Sequence, residues 1–162
     1  MAVQGFFGSS FREESTQQNN DNNWRLINKI DLTTSNSKLL INKDLDGNDF
    51  SCKEMIIVGK VVSNAMSKPL CKINGETQFS GVSSTYINGE RYIYDTYSIK
   101  GTFIERDMKY LNQDILENSV LFDNGFFRVI KKEIDSIKSV EYYGDSTSFT
   151  FKSGTKLEIY GR

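Results

Sequence analysis

From Trp24 onward, apolar and polar residues alternate with a period of two in short runs separated by clusters of Asn, Asp, Gly and Ser. This is the pattern of half-buried strands joined by tight turns. In Trp24 to Thr33, Trp24, Leu26, Ile30 and Leu32 fall largely on one parity, so Trp24 is expected as a core or seam residue. Lys38 to Lys43 forms a short strand, followed by the turn cluster Asp44-Leu45-Asp46-Gly47-Asn48-Asp49. Met55 to Val62 is the most buried-looking run, rich in β-branched side chains, with Gly59 expected to mark a bulge. Asn74-Gly75 and Asn88-Gly89 predict hairpin turns, because that dipeptide accepts positive φ at both central positions. Thr77 to Val82 and Arg91 to Ile99 read as strands, whereas Glu105 to Glu117 mixes strand signals with a helical spacing of Met108, Leu111 and Ile115. Near the C-terminus, Phe149, Phe151, Leu157 and Ile159 alternate with polar neighbours across Ser153-Gly154, which predicts a hairpin burying all four.

Eight to ten short strands, one proline (Pro69) and no clear helix predict an all-β fold, an antiparallel two-sheet β-sandwich of jelly-roll-like form. A chain of 162 residues supports one domain of this kind, assigned to residues 24–162. Residues 1–23 differ in composition: after Phe6, Phe7 and Phe11 comes a tract of Ser, Thr, Gln, Asn and Asp, read as a polar N-terminal arm or linker.

Composition then narrows the function. There is no histidine, which removes the usual general base and the commonest zinc ligand. The 20 basic residues against 21 acidic ones offer no positive field for nucleic acid. The longest apolar run, Met55 to Val58, is far below the roughly 20 residues of a membrane span. Cys52 and Cys71 are expected as buried free thiols, being too few for a disulfide scaffold. The first residues lack a basic region followed by an apolar core, so no signal peptide is expected, and the product is either made in a cytoplasm or a mature fragment. No cofactor is expected.

Three groups carry candidate chemistry. Asp44-x-Asp46-x-Asn48 imitates half of a calcium loop, but Asp49 and Met55 stand where Gly and a bidentate Glu belong, so the loop reads as an acidic turn with no metal. Asp95 with Glu105 or Asp107 is the carboxylate pair nearest to aromatics, the arrangement glycoside hydrolysis would need. Tyr86, Arg91, Tyr92, Tyr94 and Asp95 form a dense aromatic and polar group. With Ile93, Tyr97 and Ile99 facing the core, Tyr92 and Tyr94 face outward. Such rings suit a subunit interface, a glycan, or plain cross-strand packing.

Two ends of the chain carry a resemblance. Trp24-Arg25-Leu26-Ile27 through Leu32, Leu39-Leu40-Ile41 and Asp46-Gly47-Asn48 through Ile57, and Ile134-Asp135-Ser136-Ile137 with Phe149-x-Phe151-x-Ser153-Gly154 through Tyr160-Gly161-Arg162, resemble small β-sandwich modules in tail, baseplate and fibre proteins of phages of Gram-positive bacteria. The resemblance implies a jelly-roll-like virion or prophage-particle component, often a trimer, associated with other virion or tail proteins and serving either adhesion to host cell-surface polysaccharide or simply the building of the particle. It transfers no catalytic residues. A non-enzymatic virion or tail-associated protein is therefore expected, the alternative being a carbohydrate-binding module of a glycan-active protein.

Overall fold

The computed structural model describes residues 23–67, 69–79, 87–101, 103–111, 122–130, 134–144 and 146–162. Among the described residues there are ten strands: β1 (Arg25–Asp31), β2 (Lys38–Ile41), β3 (Glu54–Ser67), β4 (Pro69–Ile73), β5 (Thr77–Phe79), β6 (Ile87–Lys100), β7 (Phe103–Leu111), β8 (Phe122–Ile130), β9 (Val140–Gly144) and β10 (Lys156–Gly161). They form a six-stranded sheet in the order β1-β10-β3-β6-β7-β8 and a four-stranded sheet in the order β2-β9-β4-β5. The ladders are antiparallel, and the two sheets close on one core, so the fold is an all-β sandwich. None of the described residues is helical, and none belongs to a helix long and apolar enough to cross a membrane.

Alternation decides which side chains enter the core. The large sheet contributes Met55, Ile57 and Val61 from β3, Ile93 and Tyr97 from β6, Ile104 and Met108 from β7, and Leu157 and Ile159 from β10. The small sheet answers with Leu39, Ile41, Cys71, Ile73, Val140 and Tyr142. Cys52 and Cys71 are buried free thiols. Asn74-Gly75 is the β4–β5 turn, with φ of 52° and 78°, the positive pair a type I′ turn requires.

Several expectations are corrected. Two strands, β3 and β6, are long rather than short, 14 residues each. Asn88-Gly89 lies inside β6, with Gly89 still opposite Ser63 in the ladder, so the dipeptide does not turn the chain there. Phe149, Phe151, Leu157 and Ile159 are all buried, but they are not two arms of a hairpin. Phe151 bridges Asn36 and Ser63, while β10 lies between β1 and β3. In β1 a register shift between Leu26 and Asn28 turns Ile27 into the core residue, against the parity read from Trp24 and Leu26. The segment Phe103–Leu111 is continuous strand, and residues 112–117 lie outside the described residues, as do residues 80–82 of the strand expected at Thr77 to Val82. Residues 1–22 of the arm are likewise outside them.

Gly59 has φ of +146° yet keeps register with Leu157 and Ile93 on both sides, so no bulge occurs there. Its reason is close approach: a Cβ at this position would stand 2.1 Å from the Lys156 carbonyl oxygen.

Candidate functional site: an aromatic trough on the six-stranded sheet

The outer face of the large sheet is where alternation leaves chemistry uncovered. On β3, Ile56 and Val58 point away from the core and stand opposite Tyr160 and Glu158 of β10; Val58 and Lys60 also stand opposite Tyr94 and Tyr92 of β6. Together with Trp24, these residues line a trough of about 860 Å³. Its floor is apolar and its walls carry four aromatic rings: Trp24, Tyr92, Tyr94 and Tyr160. Gly59 also lines it.

The rim is charged but internally matched. Lys29 Nζ lies 3.4 Å from Glu158 Oε1, Lys156 Nζ 3.1 Å from Asp31 Oδ2, and Lys60 Nζ 3.2 Å from Glu90 Oε2. Two of these pairs follow from the β1–β10 register, which sets Lys29 opposite Glu158 and Asp31 opposite Lys156. The Tyr160 hydroxyl donates to Glu158 Oε2 at 2.7 Å, and burial together with that bond pushes its phenol up to about 12. The trough thus offers flat rings and polar groups with almost no net field.

The group Tyr86, Arg91, Tyr92, Tyr94 and Asp95 does not stay together. Tyr92 and Tyr94 line the trough, whereas Tyr86 lies outside the described residues. Arg91 is on the alternate parity, half-buried, donating through Nη1 to the Glu90 carbonyl at 3.0 Å. Asp95 is wholly buried beneath the opposite face of β6, so its carboxylate meets no surface ligand. The carboxylate pairs are undone for the same reason: Thr96 stands opposite Asp107 and Ser98 opposite Glu105, which puts both acids on the parity opposite to Asp95.

Asp95 instead anchors a charged network between the sheets. Arg106 donates Nε to Oδ1 at 3.0 Å and Nη2 to Oδ2 at 2.8 Å. Tyr97 and Tyr142 each donate a hydroxyl to Oδ2, at 2.7 and 2.5 Å, with their oxygens 2.9 Å apart and Cys71 Sγ 3.4 Å from the Tyr97 oxygen. Burial pushes the Asp95 carboxyl upward, against the pull of Arg106, Tyr142 and Tyr97 toward the carboxylate. Burial pushes both phenols well above their usual range, so they remain donors. Tyr97 and Arg106 belong to the large sheet and Cys71 and Tyr142 to the small one, so the network ties the layers together.

The Asp44 turn uses its own carboxylate: Oδ1 accepts from the Asp46 and Asn48 amides at 3.0 and 2.8 Å. Among the described residues no cluster of three or more acidic or thiol groups is placed to hold a metal ion.

Two things were missed by the sequence reading. Trp24 is 36% exposed and forms a trough wall rather than a core plug. Ile56 and Val58 sit within a continuous apolar run, which hides the fact that the strand has an outer face. Tyr160 was not singled out either, although its alternation with the buried Leu157 and Ile159 marks it as outward-facing. No family model, curated protein or solved structure matches this chain.

Proposed function

We propose that this chain is a non-enzymatic β-sandwich protein that adheres to cell-surface glycan through the outer trough of its large sheet, as a component of a phage or phage-like virion. One observation carries the binding reading: four aromatic rings over an apolar floor, bordered by charges already paired with one another. A pyranose ring presents an apolar C–H face that stacks on such rings, and hydroxyls that bond to both carboxylates and ammonium groups. The paired rim and the net charge of -1 disfavour a polyanion, which would need a positive surface. The virion assignment rests on the sequence resemblance of the two chain ends. In that setting weak single sites, repeated on one particle, bind firmly through avidity.

The test is native affinity electrophoresis of the full chain in gels cast with hydroxyethyl cellulose, xylan, soluble starch or purified Gram-positive cell-wall polysaccharide. Retardation by at least one of them, reduced in Tyr94→Ala, is the expected result. Equal mobility in all gels overturns the reading. Light scattering then separates a multimeric virion component from a monomeric carbohydrate-binding module.

A further inference from the structure

We propose that Arg162 is a positioning residue for Trp24, presetting the indole as the end wall of the trough; its effect on binding rests on the saccharide reading above, but its effect on the ring does not. Trp24 precedes the first ladder pair, Arg25 with Gly161, so its backbone is outside the β1–β10 ladder. The guanidinium of Arg162 holds its ring, lying 4.8 Å from the centre of the indole. That guanidinium is in turn fixed. The Arg162 amide donates to the Glu54 carbonyl at 3.0 Å, its carbonyl accepts from the Lys53 and Glu54 amides at 2.8 and 3.0 Å, and its Nε pairs with Glu54 Oε2. Lys100 Nζ forms an ion pair with Glu54 Oε1 at 3.9 Å. Trp24 lines the trough and Arg162 does not, so Arg162 acts through the ring. A wall already held in place loses little freedom when a ligand stacks on it.

Trp24 is the single tryptophan of the chain, so intrinsic fluorescence reads this one ring. The experiment compares the full-length wild type with Arg162→Ala, Arg162→Lys and Glu54→Gln. Arg162→Ala is expected to raise acrylamide quenching and shift the emission, with circular dichroism and melting unchanged. Arg162→Lys, which keeps the charge without the flat group, recovers only part of the effect. In a gel containing whichever polysaccharide retards the wild type, Arg162→Ala weakens binding about two- to five-fold, the size of an exposed cation–π contact. The same substitution in a Trp24→Ala background adds nothing. If Arg162→Ala does not fold, Glu54→Gln supplies the same comparison. Unchanged quenching in a folded variant overturns the proposal. Raised quenching with no polysaccharide retarding the wild type upholds the positioning role and overturns the glycan reading instead.

Discussion

Arg106 stands directly opposite Tyr97 in the β6–β7 ladder, and Asp95 opposite Met108, so the ion pair between Arg106 and Asp95 runs diagonally across two antiparallel strands. That diagonal lets the guanidinium pass 5.6 Å from the Tyr97 ring and 5.8 Å from that of Tyr142 before it meets the carboxylate. Both charged side chains are essentially without exposed area, at 1% and 0%. Breaking such a pair strands one charge in the core.

Asp95→Ala is therefore expected to destabilise the protein by on the order of 3–5 kcal/mol, with Arg106→Ala similar. The double replacement Asp95→Leu with Arg106→Met is expected to cost less than either single change, because no charge is left alone. Urea unfolding followed by circular dichroism checks the order, and a double variant weaker than both singles would contradict it.

Gly59→Ala tests close approach between β3 and β10. The strained φ alone costs about 1–3 kcal/mol, and a methyl group against a backbone carbonyl adds to it. Gly47→Ala is a fitting control, since its φ of +82° carries similar strain with open space around the missing Cβ. Gly59→Ala is expected to melt well below Gly47→Ala; equal melting would remove the close-approach argument.

Alkaline pH is expected to unfold the chain. Burial pushes the Cys52 thiol up to about 11 from 9.0, and pushes the Tyr97 and Tyr142 phenols well above 10.0. The folded state then keeps protons that the unfolded state releases, so the stabilisation is complete below about pH 9 and is lost as pH rises toward about 11. Urea midpoints across this range should fall with rising pH, less steeply in Cys52→Ala. A flat profile would refute the linkage.

Tyr94→Ala and Tyr92→Ala are expected to weaken polysaccharide binding about three- to ten-fold each while leaving melting unchanged, since loss of one ring contact is worth roughly 0.5–1.5 kcal/mol. Because Lys29, Lys60 and Lys156 are already paired, binding should hold nearly constant as salt is raised. A steep loss with salt would point to an anionic ligand.

The architecture was legible because period-two alternation is imposed by the pleat itself, and Leu157, Ile159, Phe149 and Phe151 announce their burial in that way. Asp95 shows where such reasoning went astray. The parity that placed Ile93 and Tyr97 inward placed Asp95 inward too, but a carboxylate between tyrosines looked like surface chemistry. Arg106, eleven residues away on the next strand, together with the Tyr97 and Tyr142 hydroxyls makes its burial tolerable, and those pairings depend on a register the sequence does not display. Trp24 was misplaced because a large ring before a strand reads as core, and its contact, Arg162, comes from the far end of the chain. Asn88-Gly89 was misread because a dipeptide that permits a turn does not compel one.

The trough and the ion pair share strand β6, with Tyr92 and Tyr94 on one side and Ile93, Asp95 and Tyr97 on the other. Odd-numbered positions there answer to folding, and even-numbered ones to whatever the outer face meets. Such a division leaves the two kinds of selection largely independent. A lineage under pressure to recognise a changing surface could exchange Tyr92 or Tyr94 repeatedly while the scaffold beneath went on folding as before.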